Sequence, residues 1–379
     1  MNRIIEDLQN PAALPDKTKG VSVVQTHISI VFVADEFVYK VKKPVNFGFL
    51  DFSTLEKRQY YCHREVELNR RLSRGLYLDV LPVTMDGRKY TMAGPSGEAV
   101  EYAVKMRRLP INKLMKSVFA RDEITEDHLK RVAGVLARFH SSALRTPEID
   151  EFGMPERFKI NSDENFDQVE KYVGITISEK EFKSIKRWTE DFYRLNRDLF
   201  LERIKRGRIR DCHGDLHMEH ICLTEDLPIF DCIEFNDRFR YSDTIADIAF
   251  LLMDLEYHGG DRYAEDLLNK YRDIAQDGDV DLLLPFYKVY RAFVRGKVNG
   301  FQVDDESIGK EKRKELCRGL RDISGLPTRI CSLKNNISGV HYDVILDTGF
   351  WILDIYKESN PFSSRIKHPA SRITQVTPP

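Results

Sequence analysis

The chain predicts an α+β protein in two lobes, a small β-rich lobe followed by a larger helical one. Three observations carry that expectation. Residues 21–43, VSVVQTHISIVFVADEFVYKVKK, give three short β-branched and aromatic runs, broken near Gln25–His27 and again at Ala34-Asp35-Glu36. Further strand-like runs follow at Leu78–Thr84, Lys89–Met92 and Ala99–Met106, the first two around the turn Asp86-Gly87. From Thr125 the apolar period becomes helical, with Leu129, Val132, Ala133, Leu136, Ala137, Phe139 and His140 on one face. The boundaries this suggests are 1–104 for the first lobe with an N-terminal extension, 105–325 for the second, and 326–379 for a C-terminal extension. The end of that extension is rich in Pro, Ser and basic residues without a stripe, the pattern of a flexible tail.

In order, residues 3–9 suit a short helix stopped before Pro11. A stronger helix spans 53–73, capped by Ser53 or Thr54, with an incomplete stripe of Leu55, Tyr61, Cys62, Val66, Leu68 and Leu72. Residues 144–165 are Pro- and charge-rich and read as irregular. Lys180 to Ile204 reads as a long helical region with Trp188, Phe192, Leu195 and Leu199 as its core face. The segment RYSDTIADIAFLLMDLEYHGG forms a helix with Ser242 or Asp243 as cap and Gly259-Gly260 as stop. Residues 285–301 form another, a charged helical stretch runs to about Arg321, and residues 342–356 are apolar enough to dock.

Composition narrows the function classes. Charged residues make up 31% and nearly cancel, for a formal net charge of -1, so no global field draws nucleic acid or an anionic membrane. No apolar run approaches the length of a membrane span. The six cysteines form no C-x-x-C pair, and residues 1–20 lack the apolar core of a secretory leader. The expectation is a reduced, cytoplasmic enzyme.

Chemistry concentrates at residues 211–235, DCHGDLHMEHICLTEDLPIFDCIEF. Strand-like runs at Arg208–Cys212, Ile221–Thr224 and Leu227–Ile233 flank a polar loop, where scaffolded catalytic groups collect. Asp215 lies in the loop, His220 five residues on, and Asp231 at the end of an apolar run. Two readings are open from these residues alone. One is phosphoryl transfer, which needs a carboxylate base and a metal-binding carboxylate. The other is a transition-metal hydrolase using His217 and His220 with Asp211 and Asp215.

HGDLHMEH followed by IFDCIEF resembles the catalytic loop and metal-binding segment of the aminoglycoside phosphotransferases and their choline-kinase-like and fructosamine-kinase-like relatives, which share the bilobal protein-kinase-like fold. The resemblance implies ATP and Mg2+ as cofactors and a hydroxyl of a small molecule as acceptor. It makes Asp215 the catalytic base and Asp231 the metal ligand. It also implies a strand lysine reaching the phosphates and held by a helix glutamate: Lys40 in VYKVKK, with Lys42 on the same face by alternation, and Glu65 rather than Glu67. An adenine-binding hinge is expected at Lys105 to Leu109. With no G-x-G-x-x-G present, Thr26–Ser29 is the candidate phosphate cover. His213 and His217 are expected to fix the loop, His140 to be a buried hydrogen-bonder and Asp247 to tie the loop in place. Glu234 and Asn236 are candidates for the substrate or metal side. Arg291 and Arg295, four apart on one helix side, are candidates for reading an anionic acceptor. The stretch VYKVKKPVNFGFLDFSTLEKRQYYCHREVELNRRL is also similar to an uncharacterised bacterial group of such proteins, some fused to a P-loop kinase. No G-x-x-x-x-G-K-[ST] occurs here, so that second domain is expected to be missing.

One position departs from the family pattern H-G-D-x-x-x-x-N: the final Asn is His220. An imidazole can ligate a metal, whereas Mg2+ prefers oxygen. His220 is therefore expected as an unusual second ligand, and a pseudokinase that binds nucleotide without transfer is the alternative.

Overall fold

A short helix, α1 (Asn2–Leu8), precedes the three strands drawn from the alternating runs: β1 (Ser22–Gln25), β2 (Ser29–Val33) and β3 (Phe37–Lys42). The computed structural model describes residues 1–93 and 97–303. Helix α2 (Leu55–Asn69) follows, with the Thr54 hydroxyl accepting from the Lys57 amide as its cap. Strands β4 (Tyr77–Asp86), β5 (Lys89–Thr91) and β6 (Glu101–Arg107) then complete an antiparallel sheet of order β1-β2-β3-β6-β4-β5. Alternation along β3 divides its side chains. Tyr39 and Val41 enter a core with Ile30, Phe32, Val83, Ala103 and Leu8, and this leaves Lys40 and Lys42 on the opposite face. On that side α2 packs Cys62 and Val66 against Tyr77 and Val104.

The second lobe is helical: α3 (Met115–Ala120), α4 (Glu126–Ser142), α5 (Pro147–Asp150), α6 (Pro155–Val169), α7 (Glu179–Leu195) and α8 (Arg197–Lys205) come first. A two-stranded ladder of β7 (Ile209–Asp211) and β8 (Tyr241–Asp243) brackets the polar loop and the short α9 (Asp237–Arg240). Then come α10 (Thr244–Tyr257), α11 (Asp261–Ala275) and α12 (Val280–Val303). Every residue of α10 from Thr244 to Leu255 is buried, because α11 and α12 pack against it. A helix apolar nearly all round belongs at the centre of a lobe. The architecture is thus the α+β, bilobal one expected.

Four local expectations need correction. Residues 144–165 are largely helical, since Pro147 and Pro155 stand at first helical positions, where the missing N–H has no partner to lose. The long helical region breaks at Asn196 into α7 and α8. Its buried stripe is Phe182, Ile185, Thr189 and Tyr193, with Leu195 60% exposed. Residues 227–233 form no strand: Leu227 and Asp231 hold φ of 45° and 61°, which an extended chain cannot contain, and only an isolated bridge joins Ile221 to Ile229. The readings beyond residue 303, including the tail, lie outside the described residues. Among the described residues no helix is long and apolar enough to cross a membrane.

Candidate active site

The loop begins where β7 ends and is held by the buried helix behind it. Asp247 on α10 accepts from two successive amides, His213 to Oδ2 at 2.7 Å and Gly214 to Oδ1 at 2.8 Å. Asp254, two turns further along α10, accepts the Met218 amide at 3.0 Å. Burial opposes ionisation of Asp247, but the hydrogen bond from His140 and the nearby His213 and Arg291 outweigh it and hold the carboxyl well below its usual range. His140 is itself buried between Asp247 and the Tyr271 hydroxyl. Gly214 is required here: its φ is +87°, and a Cβ would lie 3.0 Å from the Phe239 carbonyl oxygen.

The imidazoles next to this backbone have determinable tautomers, because carbonyls only accept and amides only donate. His213 donates Nε2–H to the Phe230 carbonyl at 2.9 Å and accepts the Asp215 amide at Nδ1, 3.3 Å. Burial pushes its pKa down to about 4, so it is neutral. His220 donates Nδ1–H to the Asp215 carbonyl at 2.8 Å and turns Nε2 to Asp231 Oδ2 at 3.5 Å. His217 stacks on His220, with ring centroids 3.9 Å apart, and its Nε2 lies 3.6 Å from Asp215 Oδ2. The carboxylates of Asp215 and Asp231 are 36% and 40% exposed, open to solvent in a way the rings are not. Asp231 donates its amide to the Tyr77 hydroxyl at 3.2 Å, which anchors its left-handed backbone to β4.

From the other lobe, Lys40 and Lys42 each take one oxygen of Glu65, at 2.9 and 2.6 Å. Their second partners differ. Lys40 reaches Asp231 Oδ1 at 2.7 Å, whereas Lys42 pairs with Glu234. With 1% exposure against 14%, Lys42 is sealed inside and Lys40 stands at the cleft. Two expectations change accordingly. Lys42 is not placed to touch a cofactor, and Glu234, 6% exposed and paired with Lys42, is not placed to touch substrate. Glu67 is exposed and pairs with Arg64.

The arginines of α12 also turn inward. Arg291, 4% exposed, donates to the carbonyls of Gly214 at 2.7 Å and Ala246 at 2.9 Å, so it is a strut for the loop and not an anion reader. Arg295 lies 3.9 Å from Glu219 and 4.0 Å from Asp254. With both guanidinium groups balanced internally, the argument for an anionic acceptor falls. Asn236 caps α9 through Arg238 N–H and donates to the Phe49 carbonyl at 3.0 Å, joining the lobes. Thr26 uses its hydroxyl to accept the Ser29 amide in the turn between β1 and β2. At the expected hinge, the Arg107 and Arg108 amides donate to the carbonyls of Leu76 and Glu36. Beside them Met106, Leu109, Val80 and Phe230 form an apolar surface on the Cys62–Tyr77 cluster.

Three contributors escaped the sequence reading. Asp254 was signalled by a second acid seven residues after Asp247 on an otherwise apolar helix. Tyr77 and Asn69, which accepts the Cys232 amide at 2.9 Å, carry no sequence signal, since both act on the backbone of a distant segment.

A family model described as the phosphotransferase enzyme family matches residues 52–281, a stretch holding Glu65, Asp215, Asp231 and the α10 clamp. The chain belongs to that family. The resemblance read from HGDLHMEH and IFDCIEF is therefore correct. Uncharacterized proteins of Mycobacterium tuberculosis and Mycobacterium bovis are 36% identical to this phosphotransferase-family chain over 279 residues, 73% of its length. The match covers 54% of those relatives, so the chain spans about half their length. Among solved structures, a choline/ethanolamine kinase family protein from Mesorhizobium loti aligns with a TM-score of 0.44 at 13% identity, covering 81% of this chain and 92% of that one. An aminoglycoside phosphotransferase from Streptomyces rimosus, solved with ADP and streptomycin, gives 0.40 at 14% identity, covering 76% and 96%.

Proposed function

We propose that the chain transfers the γ-phosphoryl group of ATP to a hydroxyl of a small molecule. The observation that carries this reading is the pairing of two half-exposed carboxylates, Asp215 and Asp231, across one fixed imidazole, with Lys40 bridging Asp231 to Glu65. Asp215 acts as the base. Burial would raise its pKa, but His217 and His220 beside it hold the carboxyl well below its usual range, so it is ionised and ready to accept the acceptor's hydroxyl proton. Lys40 keeps Glu65 while exchanging Asp231 for phosphate oxygens, and the surface of Met106, Leu109, Val80 and Phe230 suits a purine ring. Asp231 would hold the divalent cation that neutralises charge on the phosphates; its carboxylate fits Mg2+, while His220 Nε2 does not.

The hydrolase alternative starts from Asp215, His217 and His220, whose ligand atoms lie within 4.8 Å of one another. Two contacts argue against it. His220 faces Asp215 with Nδ1, the nitrogen that carries hydrogen, and Asp211 is buried in ion pairs with Arg240 and Arg71.

The test is calorimetric titration with ATP, with and without divalent cation, alongside turnover of the wild type, Asp215→Asn and Asp231→Asn over an acceptor panel. Asp215→Asn is expected to keep nucleotide affinity and lose turnover by roughly 10³-fold. Asp231→Asn is expected to lose cation-dependent binding. Binding without turnover for every acceptor would favour the pseudokinase, and absence of nucleotide binding would remove the reading.

A further inference from the structure

We infer that the cation site beside Asp231 is a mixed oxygen–nitrogen site, with His220 Nε2 as a direct ligand, suited to a first-row transition-metal dication such as Mn2+ or Co2+ over Mg2+. The inference takes the site's place in the cleft from the phosphotransferase reading, but its donor atoms from geometry. Because the Asp215 carbonyl can only accept, His220 Nδ1 carries hydrogen at that 2.8 Å contact, and the neutral ring then presents the in-plane lone pair of Nε2. That lone pair faces Asp231 Oδ2 at 3.5 Å. In the neutral ring that nitrogen and the carboxylate oxygen are both acceptors, and the site between them calls for a cation. A cation with bonds of ~2.1 Å to nitrogen and oxygen spans such a gap.

The ring is also held as ligating imidazoles are held, by a hydrogen bond on its other nitrogen. His217 stacks against one face at 3.9 Å, and the His220 carbonyl accepts the Phe230 amide at 3.0 Å. Charge favours the same outcome. Lys40 and Lys42, two ammonium groups, meet three carboxylates in Glu65, Asp231 and Glu234, leaving one negative charge over, and Asp215 adds another nearby. Mg2+ binds oxygen and keeps its waters, whereas a first-row transition-metal dication accepts an imidazole nitrogen more readily, Mn2+ least and Co2+ more strongly.

The experiment is electron paramagnetic resonance of Mn2+ added to the full chain, with and without ADP, reading nitrogen coupling by electron spin echo envelope modulation. Mg2+ competition gives the selectivity. The wild type is expected to show a histidine nitrogen coupled to Mn2+ and a preference for Mn2+ of about tenfold or more. His220→Asn, which offers an amide oxygen, is expected to lose the coupling and bring the two cations near parity, while His217→Gln keeps it. Mn2+ binding without nitrogen coupling in the wild type overturns the inference, and so does coupling that survives His220→Asn. Absence of Mn2+ binding both with and without ADP overturns it as well. Should His220→Asn fail to fold, the wild-type spectrum together with His217→Gln decides. Nitrogen-coupled Mn2+ on a chain that binds no ATP would leave this inference standing and remove the phosphotransfer reading instead.

Discussion

Lys40 and Lys42 differ by one strand repeat and share the two oxygens of Glu65, yet their environments assign them different work. Lys42 is enclosed with Glu65 and Glu234, so Lys42→Met leaves Glu234 buried without its partner and Glu65 with Lys40 alone, and is expected to cost about 3–5 kcal/mol, read in a denaturant titration. Lys40 reaches solvent, and Lys40→Met is expected to cost less stability while weakening ATP binding. The reverse pattern, with Lys42→Met stable and defective in nucleotide affinity, would interchange the two roles. Sequence alternation placed both lysines on one face, but burial, a tertiary quantity, separates them. The same limit explains Arg291. Its spacing from Arg295 is plain in the sequence, while its engagement with the carbonyls of Gly214 and Ala246 depends on how α12 sits behind the loop.

At the scale of elements, α10 is the anvil on which the loop is shaped. Its two inward acids, Asp247 and Asp254, are one heptad apart and grip opposite ends of residues 213–218. Asp247→Asn replaces an acceptor oxygen by an amide donor facing the His213 or Gly214 N–H. The expected cost is about 1–3 kcal/mol, with a fall in kcat exceeding any change in nucleotide affinity. Asp254→Asn is expected to act in the same direction by freeing Met218. If both variants melted like the wild type and turned over normally, the clamp would have no role in the site. The helix itself was legible from its period and its stop at Gly259-Gly260, and Asp247 from the family resemblance. The helices over 147–169 were not legible, since Pro suggests irregularity unless its position within the first turn is known.

For the whole molecule, the ion pairs Lys40–Asp231 and Lys42–Glu234 join the sheet lobe to the helical lobe. His213, fully buried at the start of the loop, makes the fold sensitive to pH. Its folded pKa is lowered by burial to about 4, against about 6.5 unfolded. Between those values the unfolded chain binds more protons, so stability is complete above pH ~6.5 and declines as pH falls towards ~4. Thermal melts of His213→Gln are expected to be lower at neutral pH and flatter across that window. A wild-type melting temperature constant from pH 7 to 4 would contradict the assignment.

The sequence by itself determined the passage from a β-rich first part to a helical second one, the loop bearing Asp215, and membership of the phosphotransferase enzyme family, because period-two and helical patterns and the HGDLHMEH–IFDCIEF spacing are local properties of the chain. Tertiary structure alone decided which lysine faces the cleft, that Arg291 braces the loop from behind, and which nitrogen of His220 turns to Asp231. Each of these depends on a partner 5 to 191 residues away, such as Asp231 for Lys40 and the Asp215 carbonyl for His220, and on the burial that fixes charge and tautomer.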